Sequence, residues 1–157
     1  MRIPPNRRTS LPALAIMGAL LSGCSGSTHS ATDPLKHPCT LLDTAEGRAV
    51  VQPSTGSGEE IVNHEVSECA HKEADLYVAL AHAPYTRTSF QHVVDGTWGN
   101  RPAVRKPGLG DAAYGFRESG HEPALLDVLK GDRLVQITAP TLATAERTAR
   151  AVLQGLA

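Results

Sequence analysis

An α+β domain, an antiparallel β-sheet with helices packed on it, is the fold class this sequence predicts. Three observations point to it. Leu142, Ala145, Ala149, Val152, Leu153 and Leu156 fall at spacings of three, four and seven, along one side of a terminal helix. Two apolar segments, residues 124–130 and 133–138, are separated only by Gly131-Asp132, a pair that closes antiparallel hairpins. Leu76, Val78 and Leu80 alternate with Tyr77, Ala79 and Ala81, and a period of two belongs to strands.

The folded part opens at Pro38-Cys39-Thr40-Leu41-Leu42. Asp43 or Thr44 caps a short helix through Ala45, Glu46, Arg48, Ala49 and Val50, which Gly47 weakens. Residues 52–60 are rich in Pro, Gly and Ser and are expected to form a loop. Extended segments are expected over residues 62–71 and 74–83, with residues 72–75 as the turn between them. Thr86 or Thr88 caps a second helix that turns Phe90, Val93 and Val94 inward and stops at Gly96. A turn-rich stretch, residues 99–110, leads to a short strand over residues 112–116. The hairpin across Gly131-Asp132 follows, and Pro140-Thr141 starts the last helix. The expected order is α-β-β-α-β-β-β-α.

Ahead of this domain lies a segment of different character. Arg2, Arg7 and Arg8 precede an apolar run over residues 11–21, and small residues follow. A cationic start, a short apolar centre and small residues before a cleavage point describe an export signal. The run is about half of the roughly 20 residues that a membrane-spanning helix needs. Pro12 and Gly18 weaken a long helix further. Leu21-Ser22-Gly23-Cys24 resembles the lipobox of bacterial lipoproteins. That resemblance implies cleavage after Gly23, diacylglycerol on the Cys24 thiol, and a chain held at the extracytoplasmic face of the cell membrane. Arg7-Arg8 leaves twin-arginine export open beside the general route, although Ser10 stands where that signal prefers an apolar residue. Residues 24–36, rich in Ser, Thr and Gly, are expected to be a flexible tether, and residues 37–157 a single domain.

Charge and cysteines bound the function classes. The signal holds three of the fifteen basic residues and none of the sixteen acidic ones. The remainder has twelve against sixteen, a net charge of about −4, which offers no footprint for nucleic acid. With Cys24 consumed by lipid, Cys39 and Cys69 remain in a compartment where disulfides persist. One bridge is the simplest outcome. A reactive thiol pair and metal ligation are the alternatives, although the Cys-x-x-Cys spacing of redox pairs is absent. A bridge would stabilise the fold by roughly 3–4 kcal/mol through loop closure.

Taken in order, several motifs resemble a known group. They are Pro38-Cys39-x-Leu41-Leu42, a second cysteine in a later strand, Gly108-Leu109-Gly110-Asp111-Ala112-Ala113-Tyr114, the Gly131-Asp132 hairpin and a terminal helix. With the lipobox they resemble secreted actinobacterial lipoproteins built on the domain of unknown function 3558, over most of residues 37–157. The resemblance implies an α+β sandwich, PsbP-like, with Cys39 and Cys69 bridged, and it implies no catalytic activity. One departure is Ala70-His71 after Cys69, where family members often carry a tryptophan nearby.

Gly108-Leu109-Gly110-Asp111 lacks the preceding strand and following helix of a phosphate loop, so a structural turn is expected. His64, Glu65, Glu68, Cys69, His71 and Glu73 form the densest cluster of ligand types. Glu65, Cys69 and His71 would share a strand face and suit zinc, but an oxidised Cys69 is no thiolate. No metal and no cofactor are therefore expected. His82 is expected at the rim of a strand end, held by a backbone hydrogen bond or acting as a pH sensor. His92 is expected to be solvated on a helix. Glu59-Glu60 is expected to be surface charge in a loop, and no Gly-x-Ser-x-Gly elbow marks a nucleophile. Tyr85, Phe90, Trp98 and Tyr114 either fill the core or rim a groove for an apolar ligand or partner peptide. The leading expectation is a non-catalytic binding or regulatory module of the cell envelope. A carrier of a lipid or other apolar envelope ligand is the second reading, and an envelope enzyme without nameable residues the third.

Overall fold

The computed structural model describes residues 33–52, 56–97 and 101–157. Among them a 3-10 turn at Pro38–Leu42 precedes helix α1 (Ala45–Val51). Strands β1 (Glu59–Val62), β2 (Val66–His71) and β3 (Leu76–Ala81) follow, then helix α2 (Arg87–Thr97). Strands β4 (Val104–Arg105), β5 (Ala112–Phe116), β6 (Ala124–Lys130) and β7 (Arg133–Ala139) lead into helix α3 (Leu142–Gly155). The seven strands make one antiparallel sheet in the order β1-β2-β3-β7-β6-β5-β4. The protein is therefore α+β, with helices packed on an antiparallel sheet.

Side-chain alternation divides the core in two. Leu76, Val78, Leu126, Val128, Val135 and Ile137 point to the face covered by α3, where they meet Leu142, Ala145, Ala149 and Val152. Leu125, Leu129 and Leu134 point the other way and meet Phe90 and Val94 of α2, with Phe116 of β5. Strand β6 is buried on both faces, which is why Ala124-Leu125-Leu126 shows no alternation in the sequence. Burial along β3 does alternate, because only its α3 face is deeply covered.

Local chemistry sets the ends of these elements. Thr44 Oγ1 accepts from the Gly47 N–H at 2.9 Å and caps α1. Gly47 itself is required by packing: a Cβ there would lie 2.7 Å from the Leu42 carbonyl carbon. Thr86 and Ser89 cap α2 reciprocally, each hydroxyl accepting from the other's N–H. Thr141 caps α3 through the Thr144 N–H. Glu118 also accepts from the Leu142 N–H, and hydrogen bonds from its own N–H and that of Leu142 hold its carboxyl below the usual pKa.

The Gly108-Leu109-Gly110-Asp111 turn is structural. The Asp111 N–H donates to the Leu129 carbonyl at 2.8 Å, and Asp111 Oδ2 accepts from the Gly131 N–H at 2.6 Å. Gly131 has φ 62° and fills the first position of the two-residue β6–β7 hairpin, where a positive φ is needed. Gly108 and Gly110 both have positive φ, but only Gly110 is also hemmed in, since a Cβ there would lie 2.8 Å from Val128 Cγ1 and against the Leu129 carbonyl. Gly108→Ala should cost about 1 kcal/mol for its backbone conformation alone. Gly110→Ala should cost about 2 kcal/mol or more. Urea titration of both variants checks the order, and equal losses would contradict the close approach.

Two differences from the sequence expectation matter for function. Residues 59–60 are strand rather than loop. β1 runs Glu59–Val62 and turns back through His64-Glu65 into β2, so residues 62–71 are not one extended segment. Asn63 Oδ1 closes that turn by accepting from the N–H groups of Glu65 and Val66 at 2.8 and 2.9 Å. Strand β4 also lies within the stretch expected to be turns alone.

The first described residues dock on the domain. Ser67 Oγ donates to the Leu35 carbonyl at 2.5 Å, which leaves it to accept from His82 Nε2 at 2.7 Å. Asp33, Pro34 and Leu35 line the same cleft as Gly155, Leu156 and Ala157. No helix among the described residues is long and apolar enough to cross a membrane.

Candidate functional site at the disulfide cleft and the β1 edge

The turn at Pro38–Leu42 carries Cys39 onto β2, where Cys69 shares a face with Ser67 and His71 by strand alternation. Cys39 and Cys69 are joined by a disulfide, with their Cα atoms 4.9 Å apart. Cys69 is fully buried and Cys39 partly exposed. His71 lies behind them, only 7% exposed, and its Nδ1 has no hydrogen-bond partner. Burial without an ionic partner holds its pKa below the ordinary histidine value, so the ring is neutral near pH 7. Gly58 comes so close that a Cβ would lie 2.6 and 2.7 Å from the two sulfurs and 2.7 Å from His71 Nε2. Glu60 Oε1 accepts from the Cys39 N–H at 3.1 Å, and its Oε2 lies 3.3 Å from His37 Nδ1. A cleft of about 650 Å³ opens over this corner, lined by Cys39, Arg48, Gly58, Glu60 and His71 among others.

β1 forms the rim of that cleft and the edge of the sheet. The Asn63 N–H donates to the Val66 carbonyl, so Asn63, Ile61 and Glu59 turn their backbone groups toward β2. The N–H and C=O groups of Glu60 and Val62 therefore point outward, and no described strand pairs with them. Ile61 and Val62 are 43% and 49% exposed, the large apolar side chains that the described residues leave open to solvent. The strand is otherwise acidic. Lys72 Nζ lies 2.5 Å from Glu59 Oε2, and that hydrogen bond and the carboxylate charge raise the ammonium pKa.

The structure brings some sequence candidates together and separates others. Cys69 and His71 converge, but Glu65 lies outside β2, in the exposed β1–β2 turn, so it does not join them. Gly58, Glu60 and His37 complete the corner. They lie far from Cys69 in sequence, and only Glu60 had stood out, as loop charge. Phe90 is buried, with its ring centroid 6.2 Å from that of Tyr114, while Tyr85 and Tyr114 pack half-buried on the same cluster. These three aromatic side chains fill the second core. Trp98 and Cys24 lie outside the described residues. His82 is held by the Ser67 side chain rather than by a backbone group, and the buried Ser67 hydroxyl is already committed to Leu35. His92 is exposed on α2, as its helical position suggests. Compared with known proteins, the chain matches no family model, no curated protein and no solved structure.

Proposed function

We propose that this chain is an exported lipoprotein, held at the extracytoplasmic face of the cell membrane through Cys24, whose domain is a non-catalytic interaction module. The single observation that carries the interaction reading is the β1 edge, with two outward backbone positions beside exposed Ile61 and Val62. Free edges of this kind accept an added strand, in which backbone hydrogen bonds supply affinity and alternate side chains supply selectivity. The partner is an extended segment of an envelope protein. It carries apolar side chains beside Ile61 and Val62 and a basic one beside Glu60. Both faces of the sheet's centre are packed with side chains, which favours this role over a carrier.

Val62→Pro tests the reading, because the Val62 N–H points outward and its loss removes no bond to β2. A photo-crosslinker at Ile61 of the lipidated chain should capture an envelope protein. Val62→Pro should reduce that capture about tenfold or more, with the melting temperature little changed. Equal capture from a crosslinker on Arg150 of α3, or no loss with Val62→Pro, would refute the edge. The anchor is tested separately. Labelled palmitate should enter the wild-type chain and not Cys24→Ala, and a wild-type chain without label would remove the membrane assignment.

A further inference from the structure

Three potential metal-ligand atoms meet at the disulfide corner: the sulfurs of Cys39 and Cys69 and an imidazole nitrogen of His71 lie within 4.8 Å of one another. Their convergence is tight enough that the residue facing them has to be glycine, since a Gly58 Cβ would lie within 2.7 Å of both sulfurs and of His71 Nε2. His71 is more than nine-tenths buried, its Nδ1 has no hydrogen-bond partner, and its Nε2 is the ring atom that shares the corner with the two sulfurs. The cleft gives the corner an entry path, and Cys39 lines it while Cys69 does not.

We propose that reduction of the Cys39–Cys69 bridge opens a site for a thiophilic cation, with Cys39 Sγ, Cys69 Sγ and His71 Nε2 as ligands and a fourth position facing the cleft. Two thiolates and a neutral imidazole are the donor set of zinc, and they also suit other borderline or soft cations. The bridge in its oxidised form offers no thiolate, so redox state decides whether the site exists. The reductant is a dithiol. One of its thiolates attacks Cys39 Sγ, the accessible sulfur; the S–S bond breaks and Cys69 leaves as thiolate. The second thiol of the reductant then attacks the mixed disulfide and frees Cys39. Two electrons and two protons have passed to the protein, and the reductant leaves as its own disulfide. Zinc binding releases the two thiol protons. The fourth position is filled by water from the cleft.

The test uses the mature chain carrying Cys24→Ala, so that only the two bridge sulfurs are available. Zinc is titrated against a chromophoric chelator before and after reduction with a phosphine. Reduction should tighten one-to-one zinc binding at least 100-fold. His71→Ala should weaken it about tenfold or more, and cobalt in place of zinc should give a thiolate charge-transfer band with tetrahedral d–d absorption. Equal binding by oxidised and reduced chains would overturn the proposal. So would unchanged binding in His71→Ala, the result expected if an unfolded chain held zinc by its thiols alone. If His71→Ala fails to fold, His71→Asn serves instead, read by the loss of the nitrogen ligand from the cobalt spectrum. Val62→Pro should leave zinc binding unaltered, which keeps this outcome distinct from that of the β1 edge.

Discussion

Phe90→Ala is expected to lower the unfolding free energy by about 3–5 kcal/mol, the range for emptying a large, well-packed core position. Phe90 is 1% exposed and, with Val94, carries α2 into the second core, against Phe116, Leu125, Leu129 and Leu134. Those neighbours belong to the ladder of β5, β6 and β7, which cannot close over the hole without losing strand pairing. Tyr85 packs on the same cluster but is half-buried, so Tyr85→Ala should cost clearly less. Urea unfolding of both variants measures the difference. A loss under about 1 kcal/mol for Phe90→Ala would show that α2 does not pack as described. It would also restore the aromatic groove as a binding surface.

Removing the bridge is the second large effect. The Cys39→Ala, Cys69→Ala double variant should lose about 3–4 kcal/mol, the loop-closure contribution expected for a separation of 30 residues. The bridge ties the turn at Pro38–Leu42 to β2, and that turn packs against α3 through Leu41 and Leu42. Loss should therefore appear first as faster hydrogen exchange in residues 33–52, and later in the β6–β7 pair. Exchange that rises uniformly across the chain would show that this segment has no separate stability. Gly58→Ala should mimic part of the effect with both cysteines in place, because its Cβ would press on both sulfurs.

Much of the fold was legible because local and tertiary preferences agree. Helix α3, the β6–β7 hairpin and β5 appear where periodicity and Gly131-Asp132 place them, and the Lys72–Asp75 turn falls between β2 and β3. Strand β1 was illegible for a physical reason. Half of its four residues are carboxylates and it follows a Gly/Ser stretch, so only pairing with β2 makes it a strand. The one local hint was Asn63, whose side chain builds the tight turn. The bridged cysteines were legible from their number and from the compartment that the lipobox resemblance implies. Around them, Gly58 and His37 were not, because nothing in a linear reading says which glycine approaches a sulfur. Glu65 illustrates the converse: it is four residues from Cys69, yet the turn carries it away from the corner.

The first and last described residues bear on how the domain can be engineered. Asp33 and Ala157 line a common cleft, with the polypeptide pinned there by the Ser67 hydroxyl on Leu35. Residues 33 and 157 thus lie at one pole of the domain, and a short linker can join them. A circular permutant opened at Gly120-His121, in an exposed turn, would keep every strand neighbour and move the chain's entry and exit to a new pole of the domain.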